Sequence, residues 1–349
     1  MENYSQEQLL LEKEKLNVLK LEFEEKNKQM WAMSEAVYKE KKKIEEQLHE
    51  ILSQKSILET QKNENETNVK LLWEQSAAIH KEKERIETLK KEVEQRHQEV
   101  LDSVHYAKRI QLAILPTEEM VKTLLPDSFI FFKPKNIVSG DFYWVKQLSD
   151  GKILFAAVDC TGHGVPGAFM SILGYNLLEQ TLKDLTNYNP ATILTELCNA
   201  IIKSLKQTQE FESVKDGMDI ALCLLDLKKL KIEFAGAHNP LYIIRNGELM
   251  EFKADNRAIG FSYFKKTSFQ NHEVDIKKGD CLYIFSDGFV DQKGGPNKTK
   301  FFYTPFKQLL IDIHQNPMEE QRQLLDDKFM DWKKELSQID DVLIFGVKV

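Results

Sequence analysis

The first 115 residues contain neither proline nor glycine, and this absence constrains the fold more than any other feature of the sequence. The first proline is Pro116 and the first glycine is Gly140, while Glu, Lys, Gln and Leu dominate the segment. Because proline and glycine usually end a helix, the segment is predicted to form one long helix. At about 1.5 Å per residue, an unbroken helix of this kind would be roughly 160 Å long.

An apolar residue recurs every seven positions along this helix. The line reads Leu9, Leu16, Phe23, Met30, Val37, Ile44, Ile51, Leu58, Asn65, Leu72, Ile79, Ile86, Val93, Val100, Ala107 and Ile114, and only Asn65 breaks the apolar series. Such a repeat keeps its stripe facing a partner only in a left-handed coiled coil. The second heptad seam is poor, since it contains Lys26, Glu40 and Gln47. We therefore predict a loosely held parallel homodimer over residues 1–115; the alternative is a single solvated helix that spaces two modules.

Charge and cysteine content exclude several classes of protein. The net charge of −7 argues against a nucleic-acid-binding protein. The four cysteines form no CxxC pair, which predicts neither a zinc site nor a disulfide framework and fits a reducing compartment. No apolar run approaches the roughly 18 residues of a membrane helix, and the N-terminus lacks a signal-peptide pattern. The sequence predicts a cytoplasmic protein without a membrane span.

Residues 116–349 have the pattern of a globular domain that mixes strands and helices. Short β-branched and aromatic runs predict strands at "SFIFFK", "DFYWVKQL", "KILFAAVD", "MDIALCLLDL", "KIEFAGA", "LYIIRNGELMEF", "CLYIFSDG" and "DVLIFGVKV". Helical periodicity covers residues 167–185, 191–207 and 318–336. This order favours an α+β fold with two packed sheets and helices outside them, rather than a doubly wound sheet.

Aspartates stand at the ends of several predicted strands. They are Asp141, Asp159, Asp287 and the pair Asp340 and Asp341. Bringing carboxylates together is costly unless a cation lies among them. Oxygen ligands suit Mg²⁺ or Mn²⁺, and two such ions about 3.5–4 Å apart support in-line phosphoryl hydrolysis. For each acid taken alone, the alternative is ordinary Asp-Gly turn chemistry.

The turn after Asp159 supplies further candidates. Gly162 and Gly164 are predicted to be required by the backbone geometry of the turn. His163 is either a general acid for the leaving group or a hydrogen-bonding residue that holds the turn. Thr161 has no identifiable base that would make it a nucleophile.

Five motifs taken in order resemble one family. They are "SGDFYWV", "VDCTGHGVPGAFMS", "FAGAHNPLYIIR", "LYIFSDGFVDQ" and "DDVLIFGVKV". Together they resemble the SpoIIE-type serine/threonine phosphatases, the bacterial branch of the metal-dependent protein phosphatase 2C-like (PPM) superfamily, over about residues 105–349. The resemblance implies an α/β/β/α sandwich with two Mn²⁺ or Mg²⁺ ions between the sheets. It also implies hydrolysis of phosphoserine or phosphothreonine on a regulatory protein, such as an antagonist of an anti-sigma factor.

The resemblance also assigns roles to residues. The implied metal ligands are Asp141, Asp159 as the bridge, the backbone carbonyl of Cys160, Asp287, Asp340 with Asp341 as its alternative, and Asp219 for a third, weaker ion or else as a turn residue. Asp159 is the implied catalytic residue; His163, the candidate general acid, lies two residues further from its acid than in the eukaryotic enzymes. No counterpart of the phosphate-binding arginine of the eukaryotic enzymes is identifiable. The segment "DNRAIGF" also departs from the family's usual "GLPLG"-like pattern.

The segment "YAKRIQLAILP" resembles the helix that joins a regulatory region to the catalytic domain in this family. Arg109, Ile110 and Gln111 are therefore predicted to form a regulatory linker, at the end of a helical domain of residues 1–115 that precedes a phosphatase domain of residues 116–349. The alternative function is a coiled-coil signalling scaffold with a silent phosphatase domain. A relic would be expected to lack at least one metal acid, and none is missing, so an active enzyme is favoured.

Overall fold

The computed structural model describes residues 18–20, 23, 25–28, 30–44, 62–185, 188–208, 215–260 and 268–349. The chain divides into two compact units, residues 1–103 and 104–349. This division falls earlier than the predicted domain boundary at residue 115, because the end of the long helix packs with the globular unit. Gln111 and Leu115, near that end, are both buried.

The described parts of the first unit are helical. They comprise helical turns within residues 18–44 and most of helix α1 (Lys62–Ile114). The ring of Phe23 stacks on that of His97 at 5.8 Å, and residues 37–44 and 75–82 line one cavity. Residues so distant in sequence cannot meet along one straight helix, so the two helical stretches lie antiparallel. The predicted unbroken rod of roughly 160 Å is wrong.

Most described residues of the seven-residue line are half-buried, whereas Ile79 on the same line is exposed. Phe23, Met30, Val37, Ile44, Leu72, Ile86 and Val93 are half-buried, whereas most of their neighbours are exposed. No residue with described exposure in the ranges 18–44 and 70–103 is fully buried. Leu9, Leu16, Ile51 and Leu58 lie outside the described residues, and the parallel homodimer stays a prediction.

The second unit contains the end of α1 and all the strands described. Its other helices are α2 (Glu118–Leu124), α3 (Gly164–Asp184), α4 (Pro190–Ser204), α5 (Gly288–Asp291), α6 (Tyr303–Ile313) and α7 (Met318–Lys333). Its strands are β1 (Ser128–Lys133), β2 (Phe142–Gln147), β3 (Ile153–Cys160), β4 (Met218–Asp226), β5 (Lys231–Ala237), β6 (Leu241–Arg245), β7 (Glu248–Phe252), β8 (His272–Asp275), β9 (Cys281–Phe285), β10 (Lys293–Gly294), β11 (Thr299–Lys300) and β12 (Val342–Lys348).

Two antiparallel five-stranded sheets form the centre of this unit. Their strand orders are β1-β12-β9-β6-β7 and β2-β3-β4-β5-β8. Helices α3 and α4 pack on the second sheet, and α7 packs on the first. The sheets face each other directly, as the rings of Phe155 in β3 and Phe345 in β12 lie 5.4 Å apart. The predicted α+β fold, with helices outside two packed sheets, is confirmed.

Strand β12 shows how the sequence divides the interior into two cores. Its side chains alternate between faces, as a strand requires. Leu343 and Phe345 join the core shared with β3, β4, α3 and α4, whereas Val342 and Ile344 join the core under α6 and α7. Because both faces of β12 are buried, the residues that immediately precede it are held in fixed positions.

None of the described helices combines the length and the apolar character that a membrane-spanning helix needs.

Candidate metal centre

Strand register gathers three aspartates in the sheet that contains β3. Asp159 near the end of β3 pairs directly with Asp219 near the start of β4. Asp141 immediately precedes β2, whose first residue, Phe142, pairs with Val158. In an antiparallel sheet the end of one strand lies beside the start of the next. The three carboxylates therefore come from adjacent strands at one end of the sheet.

The other sheet contributes three more aspartates. Asp287 is the second residue after β9, and Asp340 and Asp341 immediately precede β12. Strands β9 and β12 are antiparallel neighbours in which Phe285 pairs with Ile344. The end of β9 consequently lies beside the start of β12, and these acids also share one end of their sheet.

A hydrogen bond joins the two sets of acids. Asp141 is buried, and its Oδ2 accepts a hydrogen bond of 2.6 Å from the hydroxyl of Ser286, the residue before Asp287. The same hydroxyl accepts from the backbone N–H of Leu343 at 2.9 Å. The backbone N–H of Asp141 donates to Ser139 Oγ at 3.0 Å. Asp141 is thus fixed by groups from both sheets.

Asp340 and Asp341 differ in their surroundings. Asp341 is buried, and its two carboxylate oxygens accept hydrogen bonds of 2.7 Å from the backbone N–H groups of Lys135 and Gly140. Asp340 is partly exposed, and its Oδ1 accepts from the backbone N–H of Asp341 at 2.9 Å. The Asp341 side chain is therefore used to hold the loop that precedes Asp141, whereas Asp340 borders solvent.

Burial and the charges of neighbouring acids raise the pKa values of the aspartates. Burial, followed by the charge of Asp287, raises the pKa of Asp159 well above its usual range. Burial and the charge of Asp159 do the same to the pKa of Asp141. Burial and then the charge of Asp291 raise the pKa of Asp287 to about 6. Burial also raises the pKa of Asp219. Like charges are held within range of one another, and a cation among them would relieve the repulsion.

The chemistry of these donors fits a hard divalent cation. All six side chains offer carboxylate oxygens, which Mg²⁺ and Mn²⁺ prefer. Burial and the charge of Asp159 raise the pKa of the Cys160 thiol, so its sulfur stays protonated and its backbone carbonyl is the better donor. Within the ranges that the structure describes, no three His, Cys, Asp or Glu side chains are arranged to hold an ion. The acids are neighbours that do not form a closed coordination shell.

The turn after Asp159 depends on glycine. Gly162 and Gly164 have φ values of +84° and +64°, in the left-handed region that glycine tolerates. A Cβ at Gly140 would lie 2.4 Å from the carbonyl oxygen of Gly162, and one at Gly167 would lie 2.2 Å from the same atom. Three backbone segments therefore approach one another too closely for side chains, and this packing closes the turn beside the acids.

His163 lies at the edge of the acids. Its Nδ1 is 2.9 Å from Asn136 Oδ1, and the ring is exposed. Its charge is among the influences that lower the pKa of Asp340, although burial raises that pKa overall. The hydrogen bond fixes the ring on the Asp340 side of the site.

Two further residues at this site have no role in the sequence analysis. His238 follows β5 with a φ of +58°; since Ala237 pairs with Ile220, His238 is next to Asp219 and its charge lowers the pKa of that carboxyl against the effect of burial. Burial and the charge of Asp287 raise the pKa of Tyr303 to about 12. The motif "FAGAHNPLYIIR" contains His238, but only the strand register places it beside an acid.

The three predicted linker residues have different environments. Gln111 is buried, and its Nε2 donates to the carbonyl of Ser139 at 2.6 Å and to Ser171 Oγ at 2.9 Å. Its Oε1 accepts from the backbone N–H of Ser139 at 3.1 Å. Arg109 is exposed, with its guanidinium 5.0 Å from the centre of the Tyr106 ring, and Ile110 is half-buried. Only Gln111 contacts the loop that holds Asp141.

Comparison with known proteins assigns the family. The profile described as Stage II sporulation protein E (SpoIIE) matches residues 149–349, more than half of the chain. Stage II sporulation protein E of Priestia megaterium is 26% identical over 223 residues, which are 62% of this chain and 35% of that protein. The protein of the same name from Bacillus subtilis (strain 168) is 27% identical over 219 residues, 62% of this chain and 24% of that protein. The matched region thus spans about a third and a quarter of these relatives.

Comparison with solved structures supports the same family. The SiaA-PP2C domain of Pseudomonas aeruginosa is 33% identical, with a TM-score of 0.66 over 73% of this chain and 98% of that domain. The PP2C phosphatase domain of SpoIIE from Bacillus subtilis, solved with a fragment of its regulatory domain, shares the fold at 20% identity and a TM-score of 0.52, over 64% of this chain and 63% of that one. The chain therefore belongs to the SpoIIE family of PP2C-type phosphatases.

Proposed function

We propose that this chain is a metal-dependent protein phosphatase that hydrolyses phosphoserine or phosphothreonine on a regulatory protein, with two Mn²⁺ or Mg²⁺ ions as cofactors. The observation that carries the proposal is the gathering of six aspartates from two sheets, in which neighbouring charges raise the pKa of Asp159 and Asp141 beyond the effect of burial. By the family resemblance, an antagonist of an anti-sigma factor is the proposed kind of substrate.

The proposed ligands are the acids that the family resemblance implies, and the surroundings of Asp340 and Asp341 decide between that pair. These ligands are Asp141, Asp159 as the bridge, the carbonyl of Cys160, Asp287 and Asp340, with Asp219 for a third, weaker ion. Asp341 is a positioning residue, since both of its oxygens already accept backbone hydrogen bonds. When bound, ions of this kind supply Lewis acidity toward the attacking water and the phosphoryl oxygens.

The chain's own groups orient the site and supply a proton. Ser286 holds Asp141 through a hydrogen bond of 2.6 Å, which favours the ionised form of that carboxyl and fixes its direction. In the protonated His163 ring, Nδ1–H donates to Asn136 Oδ1, at 2.9 Å, and Nε2–H remains for the leaving oxygen. His163 is therefore the proposed general acid.

The proposed control passes from the helical unit through Gln111. This side chain is the described contact between the end of α1 and the loop of Ser139, and Ser139 Oγ in turn accepts from the backbone of Asp141. A change in the pairing or rotation of a dimeric coiled coil would reach Asp141 by this route. The half-buried seam of the helical unit is the proposed dimer contact.

The decisive experiment is hydrolysis of p-nitrophenyl phosphate by the purified full chain with Mn²⁺, and then with excess chelator. Turnover that requires Mn²⁺ and disappears on chelation is expected. Calorimetric titration with Mn²⁺ is the second readout, and it is expected to detect binding that Asp159→Asn weakens. Absence of both turnover and Mn²⁺ binding would favour the silent scaffold instead.

The role of His163 has its own test. A phosphoserine peptide has an alkoxide leaving group that needs a proton, whereas p-nitrophenolate does not. His163→Gln is therefore expected to lower turnover of the peptide by about a hundredfold and that of the aryl phosphate far less. An equal loss with both substrates would show that the residue only holds the turn.

A further inference from the structure

Phe302 is held in a backbone conformation that its side chain disfavours. Its φ is +69°, a region in which a bulky L-residue is a genuine outlier. Packing does not offset this strain, because the side chain is 55% exposed. Strain of this kind is concentrated at binding and catalytic sites.

The surrounding structure imposes this conformation. The backbone N–H of Phe302 donates to the carbonyl of Val290 at 2.8 Å, and that of Phe301 donates to the carbonyl of Gln292 at 3.0 Å. The buried ring of Phe301 lies 5.2 Å from the rings of Phe289 and Trp332. Phe301 therefore anchors the segment to the core, and the ring of Phe302 is presented to solvent on a fixed support.

This segment borders the acids of the candidate metal centre. Val290, which accepts the hydrogen bond from Phe302, is three residues after Asp287. The next side chain, Tyr303, is 43% exposed. The hydroxyl of Tyr303 is within electrostatic range of Asp287, Asp291 and Asp159, whose charges add to burial in raising its pKa. We call residues 293–303 the lip.

The lip is also basic. Its hairpin of β10 and β11 carries Lys293, Lys298 and Lys300, all exposed, in a chain whose net charge is −7. The ammonium of Lys300 lies 2.7 Å from Asp291 and lowers the pKa of Asp287 against the effect of burial. One hairpin thus carries three exposed lysines, of which Lys300 is placed near the acids, and it leads directly into the exposed ring of Phe302.

We propose that the lip is the docking surface for the phosphoprotein substrate, and that it selects a sequence in which the phosphoserine is flanked by an acidic residue and an apolar one. Phe302 packs on the apolar side chain, and the lysines bind the acidic one. Aromatic anchors surrounded by charge are the usual centres of such recognition. This inference rests on the proposed function, since it presupposes that the acids process a phosphoprotein.

The test compares three substrates with the full chain in Mn²⁺. They are p-nitrophenyl phosphate and two phosphoserine peptides of equal length, one with Glu and Leu beside the phosphoserine and one with Lys and Ser. The wild type is expected to prefer the Glu-Leu peptide by about tenfold or more in kcat/KM. Phe302→Ala and the double variant Lys293→Glu/Lys298→Glu are each expected to lower the ratio of this kcat/KM to that for p-nitrophenyl phosphate by about tenfold.

Two single substitutions to glycine distinguish the effect of the Phe302 ring on docking from the effect of its strained backbone. Phe302→Gly tolerates the positive φ, so it is expected to unfold at no lower temperature than the wild type while losing the peptide preference as Phe302→Ala does. The matched control is Lys334→Gly, at another position of positive φ (+48°) outside the lip, which is expected to keep the preference.

The outcomes distinguish the two proposals. Suppose that the wild type and the Phe302 and lysine variants all hydrolyse the three substrates with the same ratios of kcat/KM. This result would overturn the proposal that the lip docks the substrate, but it would support the phosphatase function. A wild type that cleaves none of the three would overturn the phosphatase and the lip with it.

Discussion

The helical unit has the most regular sequence pattern in the chain and the least burial, whereas the globular unit shows the reverse. Leu72, Ile86 and Val93 follow a strict seven-residue line and remain half-buried. Leu154 and Phe155 of β3 belong to no such repeat and have no exposed surface. A periodic line specifies which face of a helix is apolar, but burial depends on how many elements can cover that face. Two antiparallel helices cover it only in part.

The same difference explains where charges can be forced together. On the helical unit, acids such as Glu35 pair with Lys39 four residues away while remaining exposed, so solvent screens them. In the globular unit, strands buried on both faces hold Asp159 beside Asp219 despite the repulsion between the two carboxylates. Rigid burial is what turns ordinary strand-end acids into a candidate metal centre. The predictions below test whether the chemistry and the stability reside in the globular unit alone.

The largest effect is expected from Asp159→Asn. Removing the proposed bridging carboxylate is expected to lower Mn²⁺-dependent turnover of p-nitrophenyl phosphate by at least about a thousandfold, since the ions contribute several kcal/mol to the transition state. The unfolding temperature in chelator is expected to stay equal or to rise, because one repelling charge is lost. Asp226→Asn, at the far end of β4, is the matched control and is expected to keep full turnover. Near-normal turnover in Asp159→Asn would remove this residue from the site.

The second effect concerns stability against pH in chelator. The folded-state pKa of Asp287 is raised to about 6 from 3.8, so the group contributes stability that is fully present below about 3.8 and is lost as the pH rises through about 6. The loss from this residue alone is at most about 3 kcal/mol over the whole titration, and about 1.4 kcal/mol of that loss falls between pH 5 and pH 7.5. Urea unfolding at pH 5 and pH 7.5 measures it. Mn²⁺ is expected to reverse the trend, because it binds deprotonated carboxylates.

Asp287→Asn supplies the comparison for this titration. The amide cannot ionise, so the variant is expected to lose less stability between pH 5 and pH 7.5 than the wild type does. If both proteins lost the same stability between pH 5 and pH 7.5, Asp287 would not have the raised pKa on which this prediction depends.

The third effect tests the connection between α1 and the acids. Gln111→Ala removes two buried hydrogen bonds to Ser139 and one to Ser171, and it is expected to lower the free energy of unfolding by about 1–3 kcal/mol. Because Ser139 orients Asp141, Mn²⁺ affinity is expected to fall about tenfold or more. Calorimetric titration and urea unfolding measure the two quantities.

Arg109→Ala is the control, since this side chain is exposed on the same turn of helix. It is expected to change the free energy of unfolding by less than about 0.5 kcal/mol and to leave Mn²⁺ affinity as it is. Loss of stability in Gln111→Ala with unaltered Mn²⁺ affinity would reduce Gln111 to a packing role.

Much of the fold could be predicted because its strands are apolar runs with clear turn signals. Strand β3 (Ile153–Cys160) and the hairpin of β6 and β7 are found where their sequences predict them. Strand β8 is short, polar and partly exposed, so its sequence does not predict a strand that pairs with β5. The unbroken rod is wrong because the absence of proline and glycine removes helix breakers without preventing two helical stretches from packing antiparallel.

The candidate site was predictable only in part. Each acid could be identified as a strand-end residue, but its partners are set by register between strands far apart in sequence, as with Asp159 and Asp219. The difference between Asp340 and Asp341 depends on which carboxylate meets the backbone N–H of Gly140. The position of His238 depends on the pairing of β4 with β5. These are long-range contacts that no local pattern records.

The smallest effect is expected from the helical unit itself. Ile86→Ser weakens the half-buried seam, and Lys83→Ser on the exposed face of the same helix is its control. Since the chain divides into two compact units at residue 103, Ile86→Ser is expected to shift only the unfolding of the helical unit. The globular unit is expected to change by less than about 0.5 kcal/mol, as measured by calorimetric scanning. If the unfolding transition of the globular unit shifted together with that of the helical unit, the two units would form one cooperative structure. Regulation would then involve more contacts than those of Gln111.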